Sequence, residues 1–246
     1  ITDENRCAEL RKDEHVHWTP VFWATIYGHA ECIRVLHELG ADIKTGTCDD
    51  SGVIGMTPMH YAASQGQAYC IRVLHELGVD ILHNSQRYWG YRPLHFAAST
   101  GHPECIRVLG TLGADKHVDE ATLNRGMSAV HISSWFGHAE CIRALHALGA
   151  DITKKDTVLG HSALHMAAGW GHTECIRVLL ALGADINATT NNGYTAVNMA
   201  AAHGRAESIR ILHFLGADIS KNSPIVDAID KGSMECIHTL VRLGTV

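Results

Sequence analysis

The sequence is poor in several features that would point to particular classes of protein. It contains no run of 18 apolar residues, so no membrane-spanning helix is predicted. Its 20 lysines and arginines are outnumbered by 26 aspartates and glutamates, which gives a net charge of −6. Because binding to phosphate groups needs a basic face, this balance argues against a nucleic-acid partner.

Sequence signatures of catalysis are missing as well. There is no glycine-rich phosphate-binding loop, no Gly-x-Ser-x-Gly turn and no His-Glu-x-x-His motif. Asp49 and Asp50 form an acidic pair, but the surrounding Cys-Asp-Asp-Ser-Gly segment is typical of a turn. We therefore expect no catalytic residues, no cofactor, no metal ion and no small-molecule substrate, and the chain is not predicted to be an enzyme.

What the sequence does contain is one segment that returns with a period near 34 residues. Residues 28–43 read Gly-His-Ala-Glu-Cys-Ile-Arg-Val-Leu-His-Glu-Leu-Gly-Ala-Asp-Ile, and edited copies follow six more times. Such a period predicts a solenoid, in which each unit contacts only its neighbours. Within a unit, Thr57 suits a helix N-cap, Pro58 the first helical position and Gly66 the end of a short first helix. A second helix is predicted over about residues 67–77.

The starts of the first helices resemble a known family. They read Thr19-Pro-Val-Phe, Thr57-Pro-Met-His, Arg92-Pro-Leu-His, Ser128-Ala-Val-His, Ser162-Ala-Leu-His, Thr195-Ala-Val-Asn and Ser223-Pro-Ile-Val. Together with the glycines and the Gly-Ala-Asp ends, they closely resemble the ankyrin repeat. The resemblance implies an all-α solenoid of stacked helix-turn-helix units with short β-hairpin fingers. We divide the chain into a capping helix (1-15) and a stack of about seven repeats (16-246), the last a shortened, polar C-terminal cap.

Cysteine also follows the repeat. Six of the eight cysteines occupy one column: Cys32, Cys70, Cys105, Cys141, Cys175 and Cys236. Equivalent positions in adjacent units lie about 10 Å apart, whereas a disulfide needs Cα atoms within about 7 Å. The column therefore predicts buried, unpaired thiols and a reducing intracellular compartment, such as the cytoplasm or an organelle reached after removal of a leader.

Histidine and arginine are likewise arranged in columns. Four of the 19 histidines, namely His60, His95, His131 and His165, fill the last position of the Thr-Pro-Leu-His motif. The resemblance implies that they form hydrogen bonds between units, and spread-out columns do not converge on a metal ion. Arginines that follow a glutamate by three residues predict a solvated row of ion pairs on the second helices, which the resemblance places on the convex side.

Large side chains are concentrated in units three to five, at positions that the family uses for partners. The candidate partner-binding residues are Tyr88, Trp89, Arg125, Trp135, Phe136, Val158, Leu159 and Trp170. They occupy fingertips and the last turns of first helices, which the resemblance places on the concave side. Aromatic and arginine anchors dominate the energetics of protein interfaces, so these residues predict a protein partner. Trp23, Tyr61 and Phe96 fall in a different column, which we expect to be core.

Two alternatives remain open from the sequence. The long fingers can fold back and bury the aromatic rings within the stack, in which case the patch is internal packing. The chain can also be an accessory subunit fixed in a large multiprotein assembly, whose interface would be more apolar and would extend beyond the concave face.

Overall fold

The computed structural model describes residues 19–47, 55–85, 88–123 and 125–244, and these residues form seven antiparallel helix pairs. The helices are α1 (Pro20–Ile26), α2 (Ala30–Glu38), α3 (Pro58–Ser64), α4 (Ala68–Glu76), α5 (Pro93–Thr100), α6 (Pro103–Thr111), α7 (Ala129–Phe136), α8 (Ala139–Ala147), α9 (Ala163–Trp170), α10 (Thr173–Ala181), α11 (Ala196–Ala202), α12 (Ala206–Phe214), α13 (Pro224–Lys231) and α14 (Met234–Arg242). A 3₁₀ turn (Ala114–His117) follows α6. The capping helix predicted for residues 1–15 lies outside the described residues.

The pairs stack in chain order. Each first helix packs on the first helix of the next pair, and each second helix packs on the next second helix. The predicted all-α solenoid is therefore confirmed. The fingers between pairs are turns: isolated antiparallel bridges join Ser85 to Tyr91 and Lys155 to Ser162, and the described part of the chain forms no longer strand.

Small and aliphatic side chains hold the stack together. Ala62, Ala63, Ile71 and Leu74 are fully buried, because alanine lets neighbouring first helices approach and the aliphatic residues fill the space between the two layers. Each first helix is short because Thr57 begins it in an extended conformation and the turn at Gly66 requires a positive φ, here 75°.

A column of buried histidines joins consecutive pairs. In each, Nδ1 accepts a hydrogen bond from the N-cap amide three residues earlier, at 3.1–3.2 Å, and Nε2 donates to a carbonyl of the following finger at 2.9–3.1 Å. These residues are His60, His95, His131 and His165. Asn198 replaces histidine in the sixth pair and makes the same two bonds through Oδ1 and Nδ2. We call this column the histidine seam, and it confirms the predicted bonds between units.

A second set of histidines adds bonds in the opposite direction along the stack. His102, His138 and His172 each donate from Nε2 to a carbonyl near the end of the preceding first helix, at 2.9–3.1 Å. The glycine beside each ring has no space for a side chain: a Cβ on Gly137 would lie 2.6 Å from Nδ1 of His172. Glycine is therefore needed there both for its positive φ and for contact with the next repeat.

The cysteine column is buried, with one exception. Burial raises the pKa of the Cys70 thiol to about 11 and that of Cys105 to about 12, so these thiols stay protonated. Cys32 is exposed, contrary to the sequence prediction, and so is Trp23, with 48% of its surface accessible. Both belong to the first pair, which among the described residues has a helix pair on one side only. Tyr61 and Phe96, in the same column as Trp23, are buried as predicted.

The last pair exposes both polar and apolar side chains, with Asp230 and Lys231 among the polar ones. Val226 and Ile229 are 51% and 57% exposed, whereas Asn198 and Ala201, at the same positions of the preceding pair, are fully buried. Asp227 turns back toward the stack and accepts a hydrogen bond from Nδ2 of Asn198 at 2.8 Å. Among the described residues, no helix packs on Val226 or Ile229.

Candidate partner-binding groove

One buried carboxylate shapes the finger between α8 and α9. Oδ1 of Asp156 accepts hydrogen bonds from the amides of Val158, Leu159 and Gly160 at 3.2, 2.8 and 2.8 Å, and Oδ2 lies 3.2 Å from Nδ1 of His161. Burial disfavours the charged carboxylate, but the amide of Leu159, the ring of His161 and the amide of Gly160 outweigh burial and hold the pKa of Asp156 below its usual value. The turn leaves the Val158 and Leu159 side chains 54% and 48% exposed.

Neighbouring fingers are joined by backbone hydrogen bonds. The amide of Leu123 donates to the carbonyl of Trp89 at 2.8 Å, and the amide of Thr157 donates to that of Arg125 at 3.3 Å. The amide of Asn191 continues the series by donating to the carbonyl of Leu159 at 3.0 Å. The fingertips thus form a connected row, in which the finger of Arg125 and the finger of Leu159 are each bonded to the finger on either side.

Beside this row, the ends of successive first helices carry a line of rings. Trp135, near the end of α7, and Trp170, the last residue of α9, have centroids 5.0 Å apart. The ring of His203, which follows α11, lies 6.3 Å from that of Trp170. At the other end, the guanidinium carbon of Arg125 lies 5.4 Å from the Trp135 ring centroid, a cation–π distance. Four neighbouring groups therefore span three repeats.

Fingers and first helices enclose a cavity of about 460 Å³. Every lining residue belongs to a finger, to a first helix or to the cap that follows one. We call this cavity the groove and define it by Arg125, Trp135, Val158, Leu159, Trp170 and His203. Met199 and Tyr194 extend its lining toward the sixth repeat.

Models of the ankyrin repeat match most of the chain. A three-copy ankyrin model matches residues 4–85 and 82–156, and a second ankyrin model matches residues 136–180 and 164–215. The chain belongs to the ankyrin repeat family. The structure also resembles the crystal structure of the human ASB11 ankyrin repeat domain, with a TM-score of 0.74 and 22% sequence identity over 92% of this chain and 97% of that one. At this identity the likeness establishes a shared fold. No curated protein matches the sequence significantly.

The ankyrin stack brings five of the eight predicted partner-binding residues into the groove. These are Arg125, Trp135, Val158, Leu159 and Trp170. The other three lie outside its lining. Tyr88 is half-buried, with its ring 5.7 Å from that of Phe96, and Phe136 is half-buried beside His138. Trp89 is exposed on the adjacent finger, where it contacts Tyr91.

The sixth repeat contributes groove residues that the sequence analysis did not select. His203 directly precedes the glycine that ends the first helical segment, which is the same position that Trp170 occupies one repeat earlier. Selecting by position and not by apolar size would have identified it. Met199 and Tyr194 lack such a signal, because their columns are buried in the second to fourth repeats, as at Tyr61 and Met56.

The groove and the second helices differ in how their arginines are paired. On the second helices, Arg107 lies 3.1 Å from Glu104, and Arg210 contacts Glu207 and Glu235 at 2.8 and 3.0 Å. Four of the five predicted i,i+3 pairs are observed, at Arg34, Arg107, Arg143 and Arg210, whereas Arg177 makes no ion pair with a described residue. Arg125 makes no ion pair with any described residue.

The described residues include neither a group of metal ligands nor a membrane-spanning helix. Among residues 19–47, 55–85, 88–123 and 125–244, no three histidine, cysteine, aspartate or glutamate side chains are grouped to hold a metal ion. The same residues include no helix long and apolar enough to cross a membrane.

Proposed function

We propose that this ankyrin repeat protein is a non-catalytic interaction module or scaffold that binds a protein partner through the groove and the neighbouring fingers, on the concave side. Ankyrin repeats generally mediate protein–protein interaction. The observation that carries the proposal for this surface is the line of partly exposed rings beside Val158 and Leu159, with Trp170 36% accessible. Large rings held rigidly at a surface lose little entropy on binding, which makes them effective anchors.

The size of the groove fits a segment of a partner. A cavity of about 460 Å³ holds a few side chains, whereas a standard protein interface buries roughly 800 Å² on each side. Exposed fingertip residues next to the groove, including Trp89 and Leu123, supply further contact area. We therefore propose that side chains of the partner enter the groove while its backbone runs along the fingers. Nucleic acid and small-molecule substrates are not proposed as ligands.

The test is a double substitution, Trp135→Ala with Trp170→Ala, assayed by affinity capture from native extract with mass spectrometry and by thermal unfolding. We expect captured protein to fall at least tenfold, with a stability loss of about 1 kcal/mol from the lost ring contact. The matched control is Phe214→Ala, which removes an exposed ring at the end of α12. Unchanged capture together with a large loss of stability would show that the rings only pack the stack.

A second candidate function is a subunit fixed in a large assembly, and the C-terminal end of the stack favours it. Val226, Ile229, Met234 and Val241 expose apolar side chains on the last helix pair. Permanent interfaces are more apolar than transient ones, so exposed apolar side chains are what such an interface would use. Replacing Ile229 with aspartate would release the protein from such an assembly without affecting capture through the groove. Normal co-purification of Ile229→Asp with every partner would contradict this candidate.

We also propose that the protein works in a reducing compartment, such as the cytoplasm. Five of the described cysteines are buried and unpaired, and none has a second thiol with which it forms a disulfide. Mass spectrometry after blocking of free thiols in intact cells tests this, because a disulfide at any column position would contradict it.

A further inference from the structure

The charges around the groove differ from those of the chain as a whole. The protein carries a net charge of −6, yet the groove lining includes one carboxylate, Asp156. That carboxylate is buried and already accepts hydrogen bonds from three amides besides its contact with His161. The guanidinium of Arg125, in contrast to Asp156, faces the cavity. It has no ion-pair partner among the described residues.

From this arrangement we infer that the groove selects an acidic peptide segment, in which a carboxylate lies within about three residues of a large apolar side chain. The inference rests on the proposed function of the groove and adds the chemistry of the partner.

Arg125 is held in a position to bind a carboxylate. Its carbonyl accepts the amide of Thr157 at 3.3 Å, and its guanidinium lies over Trp135. This cation–π contact does not use the N–H donors of the guanidinium, which make no ion pair with a described residue and remain available. Arginine then binds a carboxylate through two parallel hydrogen bonds, which is a strong and directional interaction.

The other polar groups of the groove do not favour a basic partner. Nδ1 of His203 donates to the carbonyl of Met199 at 2.9 Å, and Nε2 of His165 donates within the histidine seam. Lys155, in the same finger as Asp156, donates from Nζ to the carbonyl of Thr189 at 2.6 Å. A lysine or arginine entering the groove would meet Arg125 without a free carboxylate to offset the repulsion.

The apolar part of the ligand is set by the rings and the fingertip. Trp170, Val158 and Leu159 are exposed side by side and offer area to an aromatic or aliphatic side chain. Arg125 and Trp170 flank Trp135 at 5.4 and 5.0 Å. Since an extended peptide advances about 3.3 Å per residue, the carboxylate and the apolar side chain must be near neighbours in its sequence.

The test uses the full chain and a phage-displayed library of random 12-residue peptides. Sequences enriched by the unmodified protein should carry aspartate or glutamate within three residues of an aromatic or aliphatic residue. Replacing that acidic residue by lysine in a synthetic copy should weaken binding at least tenfold in fluorescence anisotropy. Arg125→Glu should reverse the preference, so that the lysine peptide binds better than the acidic one.

Two further variants separate the possible failures. Arg107→Glu changes an exposed arginine on α6 in the same way and should leave the acidic preference intact. Trp170→Ala should abolish enrichment altogether. Enrichment that depends on Trp170 but shows no acidic preference, or a preference that persists in Arg125→Glu, would overturn the inference while leaving the proposed function in place. Enrichment that is independent of Trp170, or no enrichment at all, would overturn both.

Discussion

The histidine seam and the groove are built from similar residues that behave in opposite ways. In the seam each imidazole is buried and both of its nitrogens are bonded, at His60 to Thr57 and to the carbonyl of His83. In the groove Trp170 and His203 are exposed, and Arg125 lies over a ring without an ion pair to any described residue. The seam residues recur in almost every repeat, whereas the groove residues occur once or twice. Side chains that recur at buried positions hold the stack, and those that differ between repeats are available to a ligand.

The largest effect that follows from this contrast is acid unfolding of the seam. Burial lowers the pKa of His60 to about 3 and the pKa values of His95 and His165 to about 4. In the unfolded chain these histidines titrate near their ordinary pKa of 6.5, so below that pH the unfolded state binds more protons. Stability should therefore fall between pH 6.5 and about 4, by about 1.4 kcal/mol per pH unit for each such histidine. Urea unfolding followed by circular dichroism over this range measures the slope.

The sixth repeat supplies the control for this prediction. Asn198 makes both seam bonds with an amide that does not titrate. His165→Asn should therefore keep the stack intact and reduce the pH dependence of the unfolding free energy by the contribution of one histidine. Trp170→Ala, in the groove, should leave the slope unchanged. If His165→Asn unfolds with the same pH dependence as the unmodified protein, the seam is not the source of acid sensitivity.

A smaller effect is expected from the glycine that faces the second set of histidines. Gly137 has a φ of 85°, and an added Cβ would lie 2.6 Å from Nδ1 of His172, whose Nε2 bonds the carbonyl of Trp135. Gly137→Ala should lose about 2 kcal/mol, from the left-handed backbone together with the displaced ring. Gly183→Ala separates the two causes, because its φ is 96° but nothing lies within 4 Å of a Cβ there. Equal shifts in the urea midpoint would mean that the ring contact contributes nothing.

These two regions also differ in how far the sequence predicts them. The second helix expected over about residues 67–77 is observed at Ala68–Glu76, because glycine and proline act locally on the backbone. The histidine seam was predictable because four successive copies, the second to the fifth, repeat the histidine. The direction of a fingertip side chain was not predictable from the sequence. Trp89, for example, has a left-handed backbone, with a φ of 54°, and lies outside the groove lining. Column reasoning also assumes a neighbour on both sides, which is why it failed at Cys32 in the first pair.

Replacing Asp156, the buried carboxylate that shapes the finger beside the groove, should have an intermediate effect on stability. Asp156→Asn keeps the size of the side chain but removes the charge that the amides of Leu159 and Gly160 stabilise. We expect a loss of about 1 kcal/mol in stability and severalfold weaker peptide binding, because the fingertip is no longer fixed. The control is Asp151→Asn: this exposed carboxylate also accepts an amide, from Thr153 at 2.8 Å, but lies outside the groove. Identical peptide binding by the two variants would show that the Asp156 carboxylate does not position the groove.

The smallest effect should come from the row of ion pairs on the second helices, which recurs like the seam but is exposed like the groove. Arg143 contacts Glu140 at 3.1 Å and Glu174 at 3.4 Å, with almost half of its side chain in solvent. Arg143→Gln should change stability by no more than about 0.5 kcal/mol and leave peptide binding unchanged, whereas Arg125→Gln should spare stability and weaken binding. A repeated position therefore stabilises the stack strongly only where it is also buried. If Arg143→Gln weakened partner capture as much as Arg125→Gln, the partner would contact the second helices and the distinction between framework and binding surface would fail.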